Sequence, residues 1–475
     1  MNLNSALRVP HSAFLGRREF LRRASGGFGA IALAGMLAEL QAADASSDPL
    51  AARPGHFPAK ADRIIFIFST GGVSHIDTFD HKPKLTADHG KSITASRWLN
   101  KPGKFERFLI KPRWAFKPYG KSGLMVSDLF PNLGSVIDDV CLLNAMHCDS
   151  DGHDKATLAA HGGSPQFSRP SVGAWVSYGL GTVNKNLPSF MVLAPAAPYG
   201  GAQTWGSDFL PGCHQGTHVV PGKDPLPNVQ PRVPGAELQQ MELELLGKLN
   251  QKHRDERAAD RALDARIRSF ETAFGMQREA PEAFDLSKET DETLKLYGVD
   301  RGATSGFGWQ CLVARRLAER GVRFLELIDV GSNNNWDSHG NMGDHERLAK
   351  AIDRPIAGLL ADLKRKGMLE RTLVVWTTEF GRTPFNAQAG HAGREHHNLC
   401  FTSWLAGGGV KGGIAHGTSD EYGILAAEGK VHTHDLHATM LHLLGIDHEK
   451  LTYRYAGRDY RLTDVAGEVV KPILA

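Results

Sequence analysis

The chain has 475 residues, 41% hydrophobic and 23% charged, a balance that excludes both a disordered polar chain and a protein built mainly of membrane spans. Lys and Arg number 55 against 52 Asp and Glu; residues 1–45 hold five Arg and three acids, which leaves 50 bases and 49 acids in the remainder. A near-neutral body offers no domain-wide attraction for nucleic acid or anionic lipid, and the length holds one large α/β domain with insertions or two to three smaller ones.

At the N-terminus, Gly16-Arg17-Arg18-Glu19-Phe20-Leu21 precedes a mildly apolar, Gly-rich run from Ala24 to Leu40 and small residues at Ala43-Asp44-Ala45. The run is too short and too rich in glycine to span a bilayer. It resembles a bacterial twin-arginine signal, with Gly16 where Ser or Thr is usual. That resemblance implies a leader over residues 1–45, recognition by the twin-arginine export machinery, a periplasmic or extracellular mature protein that is not an integral membrane protein, and a cofactor or metal inserted before export. The five cysteines, Cys141, Cys148, Cys213, Cys311 and Cys400, form no CxxC pair, so neither a thiolate zinc site nor a disulfide framework is expected.

Further along, Arg63 to Phe68 is a continuous apolar run that stops at Ser69-Thr70-Gly71-Gly72, the pattern of a buried parallel strand delivering a loop at its C-terminal end. Asn186 to Leu193 predicts another strand entry. From Ala236 to about residue 300 the composition shifts to Glu, Arg, Lys, Leu and Ala, and Leu238, Met241, Leu245 and Leu249 form a stripe at helical spacing, which predicts a helical insertion over 236–300 with its charges on a solvated face. The last 170 residues predict a helix from Trp309 to Arg320, a strand from Val322 to Ile328, a polar loop, a long amphipathic helix from Asp344 to Lys366, and a strand from Thr372 to Thr377. Strand, helix, strand in that order makes a right-handed parallel crossover the default and puts both following loops on one sheet edge, where open α/β sheets bind their ligands.

Three of the loops at predicted strand ends are rich in imidazole and oxygen donors: Asp337-Ser338-His339, Glu379-Phe380-Gly381-Arg382, and Glu395-His396-His397 before the strand Phe401–Leu405. A divalent ion needs three or four converging donors, and a mixed His/carboxylate set suits zinc or manganese better than calcium. Asp337, His339, Glu379 and His397, with His396 in reserve, are therefore candidate ligands. Each motif alone also reads blandly, as a turn, an ion pair or a surface imidazole; their coincidence at three strand ends is what points to metal. Arg382 is open to two readings, a clamp on an anionic ester oxygen or an ion pair with Glu379.

The order of these motifs, followed by His434-Asp435-Leu436-His437, is similar to the C-terminal half of the alkaline phosphatase and sulfatase superfamily. More closely, Gly71-Gly72-Val73-Ser74-His75-Ile76-Asp77 and Glu379-Phe380-Gly381-Arg382-Thr383-Pro384, with the twin-arginine start, resemble the bacterial domain-of-unknown-function 1501 family. The resemblance covers nearly all of residues 46–475. It implies a mostly parallel central sheet with helices on both faces, one or two metal ions, and hydrolysis of a sulfate or phosphate ester of a small molecule or polysaccharide. Asp337, His339, Glu379 and His397 or His396 fall at superfamily ligand positions; His75 and Asp77 are candidates for a second site, because Ser69-Thr70 stand where the superfamily has an Asp. Phe380 replaces a usual His. The formylglycine pattern is absent around Cys148, which leaves His153 near the nucleophile position, Thr157 and Ser150 as hydroxyl candidates, and metal-activated water as an alternative. The competing expectation is a non-catalytic envelope or polysaccharide-binding protein on the same fold.

Overall fold

The computed structural model describes residues 48–98, 101–227, 229, 236–257 and 261–475; the leader expected over 1–45 lies outside them. Nine strands build the main sheet: β1 (Arg63–Phe68), β2 (Val140–His147), β3 (Phe190–Leu193), β4 (Thr217–Val219), β5 (Phe324–Ile328), β6 (Thr372–Thr377), β7 (Phe401–Ala406), β8 (Ile414–His416) and β9 (Val431–His432). Their order is β8-β2-β7-β6-β1-β5-β3-β4, with β9 also paired to β2. The helices used below are α1 (His153–Gly162), α2 (Val172–Leu180), α3 (Ala236–Asp255), α4 (Arg261–Phe284), α5 (Phe307–Glu319), α6 (Asp344–Arg365) and α7 (Thr433–Leu443).

β1 sits between β5 and β6, parallel to both, so the expected crossover from β5 through α6 to β6 brackets it. Only β7 runs against its neighbours, antiparallel to β6 and to β2. The sheet is thus mostly parallel with one reversed strand, an arrangement whose consequence is geometric. The loops leaving the C-terminal ends of β1, β2, β5 and β6 and the segment entering the N-terminal end of β7 all meet at one edge.

The alternation of β1 explains its unbroken apolar run. Ile65 and Ile67 enter a core that includes Leu312, Leu317, Ile356 and Leu360 of α5 and α6, while Ile64, Phe66 and Phe68 enter the opposite core with Ala156, Val176 and Met440 of α1, α2 and α7. A strand covered by helices on both faces has no polar side to present. The region predicted as a helical insertion contains α3, α4 and a shorter helix, Asp291–Tyr297. None of the five cysteines is in a disulfide. Among the described residues no helix is long and apolar enough to cross a membrane.

Candidate functional site

The loop after β1 approaches the β5 loop too closely for any side chain at its first glycine. A Cβ on Gly71, at φ +115°, would lie 2.7 Å from the backbone nitrogens of Trp336 and Asp337, and one on Gly72, at φ +81°, would lie 2.7 Å from the Phe380 ring. Glycine alone fits such positions. The close approach lets Arg382 tie the loops together from below: its Nε donates to the Gly72 carbonyl at 2.8 Å, its Nη1 to the Arg394 carbonyl at 3.2 Å, and its Nη2 to the Gly71 carbonyl and to Asp337 Oδ1, the latter at 2.5 Å. The guanidinium is fully buried. Of the two sequence readings of Arg382, neither describes this: its carboxylate partner is Asp337, not Glu379, and its donors face protein oxygens.

Asp337 is the hub of the edge. Its Oδ1 lies 2.9 Å from His339 Nε2 and 3.2 Å from His396 Nε2, and its Oδ2 lies 3.2 Å from His153 Nε2. The ligand atoms of His153, Asp337 and His396 all fall within 4.8 Å of one another, and His339 Nε2 is 2.9 Å from His396 Nε2. Each of the three imidazoles is also held from behind through its other nitrogen. His153 Nδ1 meets Glu379 Oε1 at 2.8 Å, His339 Nδ1 meets Glu395 Oε2 at 2.8 Å, and His396 Nδ1 donates to the Asp151 carbonyl at 2.7 Å.

This network fixes the tautomers. An Nδ1 that donates to a carboxylate or carbonyl leaves a lone pair on Nε2 of a neutral ring, and all three Nε2 atoms then face Asp337. Two such lone pairs 2.9 Å apart, on His339 and His396, repel unless a proton or a cation lies between them. His153 Nε2 is likewise buried without a well-formed hydrogen bond. A proton on Nε2 is the alternative that the pKa directions favour for two of the rings. Burial works to lower the His153 pKa, and the carboxylates of Asp337 and Glu379 outweigh it and raise it; Asp337 raises His339 against desolvation; burial lowers His396. Burial pushes Asp337 up, but three imidazoles and Arg382 together hold it well below the usual carboxylate range.

The residues singled out in the sequence thus separate. Asp337, His339 and His396 come together and His153 joins them. Glu379 stands one step outside: it accepts from His153 Nδ1, from the Gly71 amide at 2.8 Å and from Thr378 Oγ1 at 3.0 Å. His397 is turned away from Asp337, with Nε2 2.6 Å from the Ile424 carbonyl and its ring stacked on His75. The reason is strand alternation: His396 and His397 pair with Arg382 and Gly381, so consecutive side chains point to opposite sides and only His396 shares the Arg382 side. Asp77 is not a donor to this group, because its Oδ2 accepts from Arg394 Nε at 2.7 Å and Ser74 Oγ at 2.5 Å, and its Oδ1 from the Arg113 amide at 2.8 Å. His75 Nε2 lies 2.9 Å from the Gly423 carbonyl.

His75 also belongs to a second buried donor group, with Asp80 and Cys400. There Asp80 is committed to protein, pairing with Lys82 at 3.0 Å and accepting from Ser419, and burial holds the Cys400 thiol well above its ordinary pKa, while His75 Nδ1 is buried without a hydrogen-bond partner. Thr157, one turn along α1 from His153, is fully buried and its hydroxyl has no hydrogen-bond partner, so no base is placed to take its proton. Burial pushes the Cys148 thiol up to about 12, which leaves it inert as a nucleophile.

Sequence reasoning did not assign the supports, and named Phe380 only as the replacement of a usual His. Tyr199 stacks on His153 with ring centroids 4.1 Å apart, and Phe380 packs against both His153 and His396. Glu395 was visible only as the neighbour of the His pair. The Tyr199 contact follows from the parallel placement of β3, whose C-terminal loop reaches the same edge, and that pairing is not written in local composition.

Several solved structures show a distant likeness. A sulfatase from Pseudoalteromonas sp. is 12% identical, with 87% of this chain and 72% of that one covered and a TM-score of 0.37. A lipoteichoic acid synthase from Listeria monocytogenes is 8% identical over 89% and 79%, with a TM-score of 0.34. The alkaline phosphatase of the Antarctic bacterium TAB5 is 11% identical over 74% and 92%, with a TM-score of 0.30. No curated protein matches the chain. The model of the family described as a protein of unknown function, DUF1501, matches residues 61–474, and the chain therefore belongs to that family.

Proposed function

We propose that this protein is an exported hydrolase of sulfate or phosphate esters that works through a divalent cation, zinc or manganese, held by His153, Asp337, His339 and His396. The observation that carries the metal is the outward anchoring of all three imidazoles. Each uses Nδ1 on a fixed acceptor and turns Nε2 to one carboxylate. Metal-binding histidines characteristically have such partners on the far nitrogen, which set the tautomer and the ring orientation, and a three-nitrogen, one-oxygen set matches the preferences of zinc. The choice of an ester substrate rests on the motif order along the chain, from the strand-end glycines through Asp337 and Glu379 to His396.

When bound, the ion supplies positive charge to an ester oxygen and makes water acidic enough to attack near neutral pH. The chain's own residues do the rest. Glu379 and Glu395 keep protons on Nδ1 of His153 and His339. Tyr199 and Phe380 flank the His153 ring, shielding it from water and restricting its rotation. Arg382 holds Asp337 against the Gly71-Gly72 turn, so the hub carboxylate is fixed before substrate arrives. With Thr157 sealed in the core, Cys148 inert and the buried Ser150 hydroxyl accepting from the Gly152 amide at 3.2 Å, we assign the attack to water rather than to a side chain.

The domain plan that accompanies this reading is a leader over 1–45 and one body over 46–475 carrying the helical arm at 236–300. The test is turnover of aryl sulfate and aryl phosphate esters by protein of measured metal content, alongside Asp337→Ala. Metal-dependent turnover that disappears in the variant supports the proposal; fully metallated protein that turns over neither ester sinks it.

A further inference from the structure

Helix α3 presents an apolar face that is exposed among the described residues. Leu238, Met241, Leu245 and Leu249, spaced three, four and four residues apart, lie on one stripe and are 50–66% exposed, as is Leu246 beside them. The side of α3 turned toward α4 is elsewhere on its circumference: Gln239 donates to Gln277 and Arg254 pairs with Asp264, both partners on α4. A surface helix ordinarily turns its leucines inward and its charges out; here the leucine stripe faces solvent. Single exposed apolar residues are commonplace, whereas a contiguous stripe marks an interaction surface.

The charges of the helix indicate what fits it. From 236 to 246 there are three acids, Glu237, Glu242 and Glu244, and no base; from 247 to 255 there are three bases, Lys248, Lys252 and Arg254, and one acid, Asp255. A parallel partner of the same sequence would set like charge on like. An antiparallel one sets the acidic half against the basic half, and does so twice. Self-complementarity of this kind is what a twofold-symmetric contact requires, because one patch must serve both subunits. We propose that α3 docks against α3 of a second copy of this chain, antiparallel, with the Leu238–Leu249 stripe buried between them.

Sedimentation velocity over a concentration series tests this. The purified chain should show a monomer–dimer equilibrium, and Leu245→Glu should weaken it at least ~10-fold without loss of helical signal, since the replaced side chain is exposed. Charge reversal supplies a second arm. Glu237→Lys with Glu242→Lys in one preparation, and Lys248→Glu with Lys252→Glu in another, should each dimerise poorly alone and pair with one another when mixed. A chain that stays monomeric up to its solubility limit overturns the proposal, as does a dimer indifferent to Leu245→Glu. A dimer whose two reversed forms fail to pair overturns the antiparallel arrangement.

Discussion

Two groups of histidines sit near the same sheet and behave in opposite ways. Around Asp337, every imidazole has an acceptor on Nδ1 and the shared carboxylate on Nε2. Around the ends of β2 and α7, the rings of His147, His432, His434 and His437 pack in sequence at centroid distances of 5.1, 5.0 and 6.3 Å. Here His434 and His437 each donate Nε2–H to a carbonyl of α1 or the glycine after it, at 2.8 and 2.7 Å, and the Nδ1 atoms of His147, His434 and His437 are buried without a partner. Of the carboxylates nearby, Asp149 pairs with the His432 ring and Asp435 accepts from the His432 backbone amide. Burial lowers the pKa values of His147, His434 and His437. Counting imidazoles does not tell the groups apart. What does is whether a carboxylate stands where the inward nitrogens converge.

Removing that carboxylate breaks the comparison most severely. Asp337→Ala is expected to lower kcat/KM for ester turnover about 10³-fold or more, the several kcal/mol a bound cation supplies to developing charge, and to lower the bound-metal stoichiometry measured by elemental analysis. His434→Ala should leave both unchanged. Next in size is Asp77→Ala, which strands the buried Arg394 guanidinium; loss of about 3 kcal/mol in urea unfolding is expected, with metal stoichiometry unaltered. A fall in metal content there would return Asp77 to the ligand list. Glu379→Gln weakens the anchoring of one ring and should reduce metal affinity ~10–100-fold in competition with a chromogenic chelator, leaving the four donors in place.

Acid sharpens the other side of the contrast. His437 titrates at about 3 when folded, below the ordinary 6.5, chiefly through burial and also through the nearby His434, His161 and His432. A base whose folded pKa is depressed contributes its full stability above 6.5 and loses it as pH falls toward 3, since the unfolded chain takes up the proton first. Thermal midpoints should therefore decline in that window, and His437→Phe should flatten the decline. An unchanged slope would show that other groups dominate the acid response.

Much of this was legible in the sequence, for stated physical reasons. β1, β5 and β6 announce themselves as apolar runs ending in polar loops, and a crossover helix between β5 and β6 sends Asp337 and Glu379 to one edge. The choice between His396 and His397 was open in local sequence, although alternation along a strand means that only one of them can face Asp337. His153 was harder, because its place depends on β2 lying two strands from β6, across the reversed β7. The pairing of Asp77 with Arg394, 317 residues apart, leaves no local trace at all. The leucine stripe of α3 was readable as a helix face, but its exposure was not, since periodicity reports which residues share a side and says nothing about what stands opposite.

The reversed strand has an outcome in time as well as in space. Because β7 runs backward, the fourth donor, His396, arrives ahead of its strand, and that strand must insert between β2 and β6, both made earlier. A nascent chain that has emerged only through α6 holds His153, Asp337 and His339 but not the reversed strand that positions His396. Under the proposed reading, capture of the ion waits for His396 and β7, so an occupied centre would report that every strand of the main sheet except β8 and β9 has been made.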